Sequence, residues 1–189
     1  MLDRDTVLTA TERVLRRHGP AKANVVDVAR ELGVSHAAVY RHFASKSDLR
    51  EAVVRRWLGN ARDELAEITR SAQPPADRLR SWLTALFEVK RAAVDEDSEL
   101  FATFGLLAAE SGSAPSEHVA DLLAQLTGII TDGVSSGAFA AGDPEATARA
   151  VFDATAVFHH PAHATHWSRP GTEARLAAVC DLVLAGLRT

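Results

Sequence analysis

The spacing of apolar residues constrains the fold of this chain more than any other feature. Along nearly all of its 189 residues, apolar side chains recur every three or four positions, and the alternation typical of half-buried strands is almost absent. The first such segment, DTVLTATERVLRRH, places Val7, Thr11 and Val14 on one face and stops before Gly19-Pro20. The sequence therefore predicts an all-α fold of about nine helices.

Residues that cap and end helices mark the first boundaries. Asn24 and Ser35 are suited to begin the second and third helices, and Gly33 to end the second. Ser45 is suited to begin a fourth helix. Nothing in the sequence breaks this helix except a tolerable glycine, so we expect it to run from about residue 46 to residue 70.

Five further helices are predicted after residue 70. They are PADRLRSWLTALFEVKRAAV, DSELFATFGLLAAE, PSEHVADLLAQLTGIITDGVSSG, DPEATARAVFDATAVFHH and TEARLAAVCDLVLAGLR. Asp143 is a suitable cap for the penultimate helix, which we expect to run to His160, where Pro161 breaks it.

Charge is distributed unevenly along the chain. The net charge of −4 argues by itself against a nucleic-acid binder. However, residues 1–60 carry 11 Lys and Arg against 7 Asp and Glu, whereas the remainder carries 10 against 18. A basic first part on an acidic remainder is expected when only one end of a protein meets phosphates.

Several features indicate a cytoplasmic protein. The single cysteine, Cys180, cannot form an internal disulfide. No apolar run approaches the roughly 20 residues that a membrane helix needs, and the N-terminus lacks the apolar core of a signal peptide. We therefore expect neither a disulfide nor membrane contact.

Residues 24–46 have the spacing of a helix-turn-helix motif. The small Ala29 lets the two helices approach, Gly33 can adopt the left-handed conformation of a tight turn, and Val39 seals the contact. Such a motif places its second helix in the DNA major groove. Because this helix is only about eight residues long, packing of Val39 and Phe43 must hold it.

The residues around VYRHFASKSDL supply contacts that DNA would need. Small side chains at residues 37 and 38 would let the backbone approach base edges, while Tyr40 and His42 can donate hydrogen bonds to phosphates. The new helix start at ASKSD offers backbone N–H groups beside Lys46. The predicted DNA-binding residues are Asn24, Ser35, His36, Ala37, Ala38, Tyr40, Arg41, His42 and Lys46.

A structural interpretation of the same residues stays open. Tyr40 and Phe43 could merely fill the core, and the three basic side chains, Arg41, His42 and Lys46, could form a solvated face. Each residue taken alone favours this interpretation. Together, at this spacing, they favour DNA binding.

The stretch NVVDVARELGVSHAAVYRHFASKSDLREAV closely resembles the DNA-binding segment of TetR-family transcriptional regulators. GVS, YRHF, SK and the following leucine stand in the arrangement of that family. The resemblance implies that the helix starting at Ser35 is the recognition helix and that Tyr40, His42 and Lys46 bind the DNA backbone. Asn24 stands where the family usually has threonine, and it can still cap the helix and touch a phosphate.

The resemblance also implies an overall organisation. Residues 1–47 would form the helix-turn-helix DNA-binding domain, and residues 48–189 an effector-binding and dimerisation domain. The chain would be a transcriptional regulator, most simply a repressor that leaves double-stranded operator DNA when a small molecule binds. The effector, the operator and the regulated genes do not follow from the resemblance.

Homodimerisation is predicted through the last two long helices. The stretch TDGVSSGAFAAGDPEATARAV, residues 131–151, resembles the family's approach to its penultimate helix, which pairs with the last helix and their twofold mates in a four-helix bundle. Independently, ARAVFDATAVF and RLAAVCDLVLAGL are apolar around more than one face and rich in alanine. Alternatively, both helices are central core.

An effector pocket is predicted between helices of the second domain. Its candidate side chains are aromatic or aliphatic, with one histidine, and therefore suggest an apolar or aromatic effector. Taken singly, each is also a plausible core residue. The predicted set is Trp82, Leu86, Phe87, Phe101, Phe104, Leu107, Phe152, Phe158 and His159.

The tract HHPAHATHW contains half of the eight histidines in the chain: His159, His160, His163 and His166. Imidazole is a common metal ligand, but no carboxylate lies within the tract to orient such ligands. We therefore favour pocket or interface lining over a metal site or a surface loop.

Enzyme activity and a cofactor are not predicted. The chain has no glycine-rich phosphate loop, nucleophile elbow or Cys-x-x-Cys pair. The alternative from another class is a histidine-based metalloenzyme or metal carrier that has kept a DNA-binding head.

Overall fold

The computed structural model describes residues 2–19, 24–59, 62–110, 112–140 and 142–188. Ten α-helices and two 3₁₀ helices, and no strand, occur in these ranges. The α-helices are α1 (Arg4–His18), α2 (Val25–Leu32), α3 (His36–Tyr40), α4 (Lys46–Gly59), α5 (Arg62–Arg70), α6 (Pro75–Glu96), α7 (Ser98–Glu110), α8 (Ala114–Ser135), α9 (Pro144–Ala154) and α10 (Thr172–Leu187). The predicted all-α fold of about nine helices is confirmed.

The chain divides into two compact units. The first consists of residues 1–60 and 97–118, and the second of residues 61–96 and 119–189. Contacts therefore group α4 and α7 with the first three helices. The predicted boundary of the DNA-binding domain after residue 47 stays a prediction.

The first unit has one continuous apolar core. Trp57 of α4 stacks on Phe104 of α7 with ring centroids 4.8 Å apart, and it meets Phe101 edge-on at 5.4 Å. The fully buried members of this core come from α1, α2, α3, α4 and α7 and from the segment after α3. They include Val7, Leu15, Val28, Ala29, Val39, Phe43, Leu49, Val53, Phe104 and Leu107.

The turn between α2 and α3 follows the sequence prediction. Gly33 has φ 64° and ψ 31°, a left-handed conformation that costs glycine little because it has no Cβ. The amide of Val34 donates to the carbonyl of Ala29 at 3.0 Å, so this carbonyl in the last turn of α2 has a hydrogen-bond donor. Ala29 is 1% exposed, as expected where two helices approach closely.

Polar caps begin the helices of the first unit. The Asp3 carboxylate accepts from the amide of Thr6 at 2.7 Å. The side-chain oxygens of Asn24, Ser35 and Ser45 accept from amides three residues further on. These bonds satisfy amides that have no partner within the helix, so each helix start agrees with its local sequence.

The second unit is held by apolar packing and by polar ties between helices. Trp82 is fully buried on α6, and its indole N–H donates to the side-chain oxygen of Gln125 on α8 at 2.9 Å. Arg78 donates to the carbonyl of Thr69 at 2.9 Å and to the carboxylate of Asp132 at 2.8 Å. Together these bonds join α6 to the end of α5 and to α8.

Two helix predictions differ from the structure. Residues 46–70 form two helices, α4 and α5, whose junction at residues 60–61 lies outside the described residues. The penultimate helix ends at Ala154 instead of His160 and is followed by 3₁₀ helices Ala156–Phe158 and Pro161–His166. The hydroxyl of Thr155 donates to the carbonyls of Val151 and Phe152, which favours an end at this point.

Within the described residues, no helix is both long enough and apolar enough to span a membrane.

A substitution in α8 tests the packing of the second unit. A Cβ at Gly133 would overlap the ring of Phe139, which is 2% exposed. We expect Gly133→Ala to lower the free energy of unfolding by about 1–3 kcal/mol, because the buried ring must move. The measurement is urea-induced unfolding.

Gly128→Ala is the matched control on the same helix. The added methyl group would lie 3.9 Å from Thr69, an ordinary van der Waals distance. The change in stability should therefore come only from the higher helix propensity of alanine. This variant should be as stable as the wild type or more stable. Equal unfolding free energies for the two variants would contradict the proposed close packing at Gly133.

Candidate functional site

The recognition-helix candidate presents a polar outer face on a buried support. Val39 and Phe43 are 0% and 1% exposed and anchor α3 and the turn after it. Tyr40 is 49% exposed, which is unusual for a large aromatic side chain. Ser35, His36, Ala37, Arg41 and Lys46 are also exposed. This surface agrees with the interpretation in which these side chains meet a partner.

Ala38 does not belong to this outer face. It is 7% exposed, whereas His36 and Ala37 before it are exposed. Its contact with a base edge stays a prediction. His36 and Ala37 are the exposed residues of the first turn of α3 that remain available for base edges.

Asn24 caps α2 as expected but is also held by its neighbours. Its side-chain oxygen accepts from the amide of Asp27 at 3.0 Å, and its amide nitrogen donates to the Asp27 carboxylate at 2.7 Å. Arg30 donates to the same carboxylate at 3.0 Å. A phosphate contact by the Asn24 side chain must compete with this carboxylate.

The start of α4 contains a reciprocal cap. Ser45 accepts from the amide of Asp48 at 3.0 Å, and the Asp48 carboxylate accepts from the amide of Ala44 at 2.9 Å. Two of the backbone amides around the start of α4 therefore already have hydrogen-bond acceptors. The amides of Lys46 and Ser47, the first two residues of α4, are the ones that point out of the helix end beside the exposed Lys46 side chain.

Arg4 was missed by the sequence interpretation. Its guanidinium donates to the carbonyl of His42 at 3.0 Å and lies 4.3 Å from the centre of the Phe43 ring. It thereby ties the start of α1 to the turn between α3 and α4. No local signal identifies this contact, because the two partners are 38 residues apart.

Arg50, Arg55 and Arg56 link α4 to three other parts of the first unit. Arg56 donates to Asp5 at 3.0 Å and to Thr9 at 3.1 Å on α1, and it pairs with Glu12 at 3.3 Å. Arg55 pairs with Glu117 of α8 at 2.9 Å. Arg50 pairs with Glu110 of α7 at 3.3 Å. The basic charge counted in this part of the chain is thus partly balanced by carboxylates distant in sequence.

The predicted effector residues fall in both units. Phe101, Phe104 and Leu107 belong to the first unit and pack in its core. The other six, Trp82, Leu86, Phe87, Phe152, Phe158 and His159, belong to the second unit and are all buried. Their joint participation in one effector pocket stays a prediction.

The second unit also contains an open groove between α5 and α8. Its volume is about 570 Å³. It is lined by Arg62, Asp63, Ala66, Thr69, Arg70, Asp121, Ala124 and Gln125, so none of the predicted effector residues lines it. Trp82 is joined to one lining residue, Gln125, by a hydrogen bond.

Two basic groups of the second unit are shielded from solvent, His159 fully and Lys90 in part. Burial lowers the pKa of His159 to about 4, and the nearby Lys90 and His160 also lower it. The hydrogen bond to the Phe152 carbonyl and the charge of Asp153 raise the pKa, but by less. The Nε2 of His159 donates to that carbonyl at 3.0 Å, which fixes the neutral tautomer, since a carbonyl only accepts. Burial also lowers the pKa of Lys90 on α6 to about 8. The sequence interpretation did not single out Lys90.

The remaining histidines of the tract have separate environments. His160 accepts from the amide of Ala162 through Nδ1 at 3.3 Å, and its ring centre lies 6.2 Å from that of His163. Among the described residues, no group of three or more His, Cys, Asp or Glu side chains is placed to hold a metal ion. The favoured interpretation as pocket or interface lining stays a prediction.

Comparisons with known proteins identify relatives of both parts of the chain. Residues 7–53 match the family model for bacterial regulatory proteins of the tetR family, and residues 75–180 match that for the tetracyclin repressor-like C-terminal domain. The HTH-type transcriptional regulator BetI of Rhizobium meliloti is 30% identical over 90 residues, 48% of this chain and 44% of BetI. The HTH-type transcriptional activator FasR of Mycolicibacterium smegmatis is 29% identical over 96 residues, 51% of this chain and 42% of FasR. These matches span less than half the length of either relative.

Solved structures share the fold over nearly the whole chain. SmeT, the repressor of the Stenotrophomonas maltophilia multidrug efflux pump SmeDEF, has a TM-score of 0.73 at 21% identity, covering 100% of this chain and 92% of SmeT. FadR from Bacillus subtilis, solved in complex with stearoyl-CoA, has a TM-score of 0.71 at 18% identity, covering 98% and 100%. At these identities the likeness establishes the fold alone.

The buried His159 should make stability depend on pH. Its pKa is lowered on folding, so the unfolded chain binds a proton that the folded protein does not. The stabilisation is complete above the ordinary pKa of 6.5 and is lost as the pH falls towards 4. For this one group, we expect the free energy of unfolding to fall by about 2 kcal/mol between pH 7 and pH 5.

The measurement is urea-induced unfolding of the wild type and of His159→Gln at both pH values. The variant should lose correspondingly less stability on acidification, because glutamine does not titrate. His36→Gln, at an exposed position of α3, should keep the wild-type pH dependence. The same pH dependence in all three proteins would contradict the assignment of a buried neutral imidazole at His159.

Proposed function

Because this chain belongs to the TetR family of bacterial regulatory proteins, we propose that it is a homodimeric repressor that a small-molecule effector releases from operator DNA. The observation that carries this proposal is the exposed face of α3 and of the start of α4. Tyr40 and Lys46 extend from that face while Val39 and Phe43 hold it on the core.

Contacts to DNA divide into two groups. Tyr40, His42 and Lys46 bind phosphates and set the position of α3 in the major groove. The exposed His36 and Ala37 meet the base edges and choose the sequence, since small or polar side chains at a helix start allow close approach. Selection of bound duplexes from a random DNA pool tests this proposal directly. Failure to enrich any sequence would contradict it.

Repression is proposed as the direction of regulation. SmeT, whose fold matches the whole length of this chain, is a repressor, whereas the activator FasR matches about half of it. Release requires that the effector bind the DNA-incompetent state more tightly than the DNA-bound state, because equal affinity for the two shifts nothing.

The effector is proposed to be apolar or aromatic. The second unit supplies buried aromatic side chains, Trp82, Phe87, Phe152 and Phe158, together with the buried His159 and the half-buried Lys90. A few polar groups among apolar walls are typical of small-molecule sites. The FadR structure with stearoyl-CoA makes long-chain acyl compounds a first class to test. Native mass spectrometry of the purified protein would detect a retained ligand.

Dimerisation is proposed through α9 and α10. Only Thr172, Leu176, Cys180 and Leu184 of α10 are buried. The remaining surface of the two helices exposes small or apolar side chains: Ala146, Ala150, Ala154, Ala174, Ala177, Ala178, Leu182 and Ala185. A second copy of the chain would cover these side chains. The DNA-binding parts of the two protomers can then contact the two half-sites of an operator.

Removal of Lys46 tests the phosphate assignment. Lys46→Ala should flatten the slope of log affinity against log salt by roughly 2, because a dimer loses two phosphate contacts. Affinity should fall by a similar factor for the selected operator and for a scrambled duplex. Arg70→Ala, which removes an exposed cation from the second unit, is the control and should leave the slope unchanged. An unchanged slope for Lys46→Ala would contradict this role.

A charge on α10 tests the dimer. Leu182 is 73% exposed in the protomer, so Leu182→Asp should fold normally but place two carboxylates in the bundle. Burial of each carboxylate should cost on the order of 1.5 kcal/mol, so the dimer dissociation constant should rise roughly 100-fold. Sedimentation velocity measures it. Leu106→Asp on α7, where the leucine is 60% exposed, makes the same change elsewhere and should stay dimeric. A Leu182→Asp dimer as tight as the wild type would exclude this interface.

A further inference from the structure

A pocket of about 340 Å³ lies beside the first turn of α4. Its lining consists of Lys46, Ser47, Arg50 and Glu51 from α4 and of Leu107 and Glu110 from α7. Lys46 is the residue proposed to bind a DNA phosphate. The pocket therefore brings two acidic side chains and a second cation next to the proposed DNA surface.

Arg50 is placed to extend that surface. It follows Lys46 by four residues on α4, so the two side chains lie on one helix face, about 6 Å apart along the helix axis. A guanidinium group can form two parallel hydrogen bonds to a phosphate, which makes arginine the side chain best suited to this contact. Neither the helix-turn-helix pattern nor the family resemblance identified Arg50.

Glu110 and Arg50 form an ion pair across the pocket. The Nη1 of Arg50 lies 3.3 Å from the Oε2 of Glu110. The other carboxylate of the pocket, on Glu51, is engaged elsewhere: it lies 3.2 Å from Arg55 and accepts from Ser113 at 3.1 Å. Glu110 is therefore the acidic group that competes most directly with a phosphate for Arg50.

We propose that Arg50 is a further phosphate-binding residue and that Glu110 restrains it, keeping the affinity for DNA below what the cations of α4 would allow. This inference rests on the proposed function as a DNA-binding regulator. The Glu110 side chain is 69% exposed and that of Arg50 21%, so the carboxylate is largely hydrated and can give up its partner at little cost. Its place beside two phosphate-seeking cations gives it a role in binding.

The test is a salt titration of DNA binding by Glu110→Gln. The substitution keeps the size of the side chain and removes the charge that holds Arg50. With one more phosphate contact per protomer, the log–log salt slope should steepen by roughly 2 per dimer. Lowering the salt from about 200 to about 50 mM should then raise the affinity of the variant roughly ten-fold more than that of the wild type. Glu110→Ala should give the same result.

The double variant Glu110→Gln/Arg50→Ala separates the role of Arg50 from a general change in charge. If Arg50 makes the new contact, the steeper slope should disappear in the double variant. Glu117→Gln is the matched control, because Glu117 pairs with Arg55, nine residues from Lys46 on α4. It removes the same charge and should leave the slope as in the wild type. Thermal unfolding of all variants should be close to that of the wild type.

Three results would overturn the inference: an unchanged slope in Glu110→Gln, a steeper slope that persists without Arg50, or an equal change in Glu117→Gln. These results differ from failure of the proposed function. In that case the wild type would bind neither a selected nor a mixed-sequence duplex, or its binding would not depend on Lys46. Binding by the wild type with a Lys46-dependent slope therefore has to be established first, on the same duplex.

Discussion

The burial of Val39 and Phe43 in the core of the first unit holds α3, the proposed recognition helix, in position. With five residues, α3 is far too short to be a stable helix by itself. Burying a side chain of this kind contributes on the order of 1.5–3 kcal/mol, and the two residues flank Tyr40, Arg41 and His42. The core thus determines the direction in which these polar side chains extend, so packing and the proposed DNA recognition depend on the same few contacts.

Helix α4 has the second central role in the first unit. Leu49, Ala52 and Val53 pack on the core that supports α3. Around this apolar face, arginines bind acidic residues of α1, α7 and α8. In each pair the carboxylate is at least half exposed, so salt weakens the attraction, although the side chains of Arg50 and Arg56 are themselves only 21% and 31% exposed. The ion pairs also bear on the proposed DNA contacts, because an arginine of α4 that is paired with a carboxylate would have to exchange this partner for a phosphate.

Much of the fold and part of the site could be predicted from the sequence. The start of α2, the left-handed Gly33 and the cap on α4 all follow from interactions within five residues of each position. The exposed Tyr40 and Lys46 also lie where the pattern places them. The low exposure of Ala38 did not follow from the pattern, because a small residue next to a buried valine fits either a core-facing or a groove-facing position, and periodicity over five residues does not separate them.

What the sequence by itself determined is therefore local: the helical character, the caps, the tight turn and the residue types on α3. These features arise from the 3.6-residue period and from hydrogen bonds between near neighbours. Tertiary structure decided the rest. It separated Phe104 from Phe152 into different units and paired Arg4 with the His42 carbonyl and Arg50 with Glu110, partners 38 and 60 residues apart. Such contacts depend on which helix faces meet in space, and no short stretch of sequence specifies that.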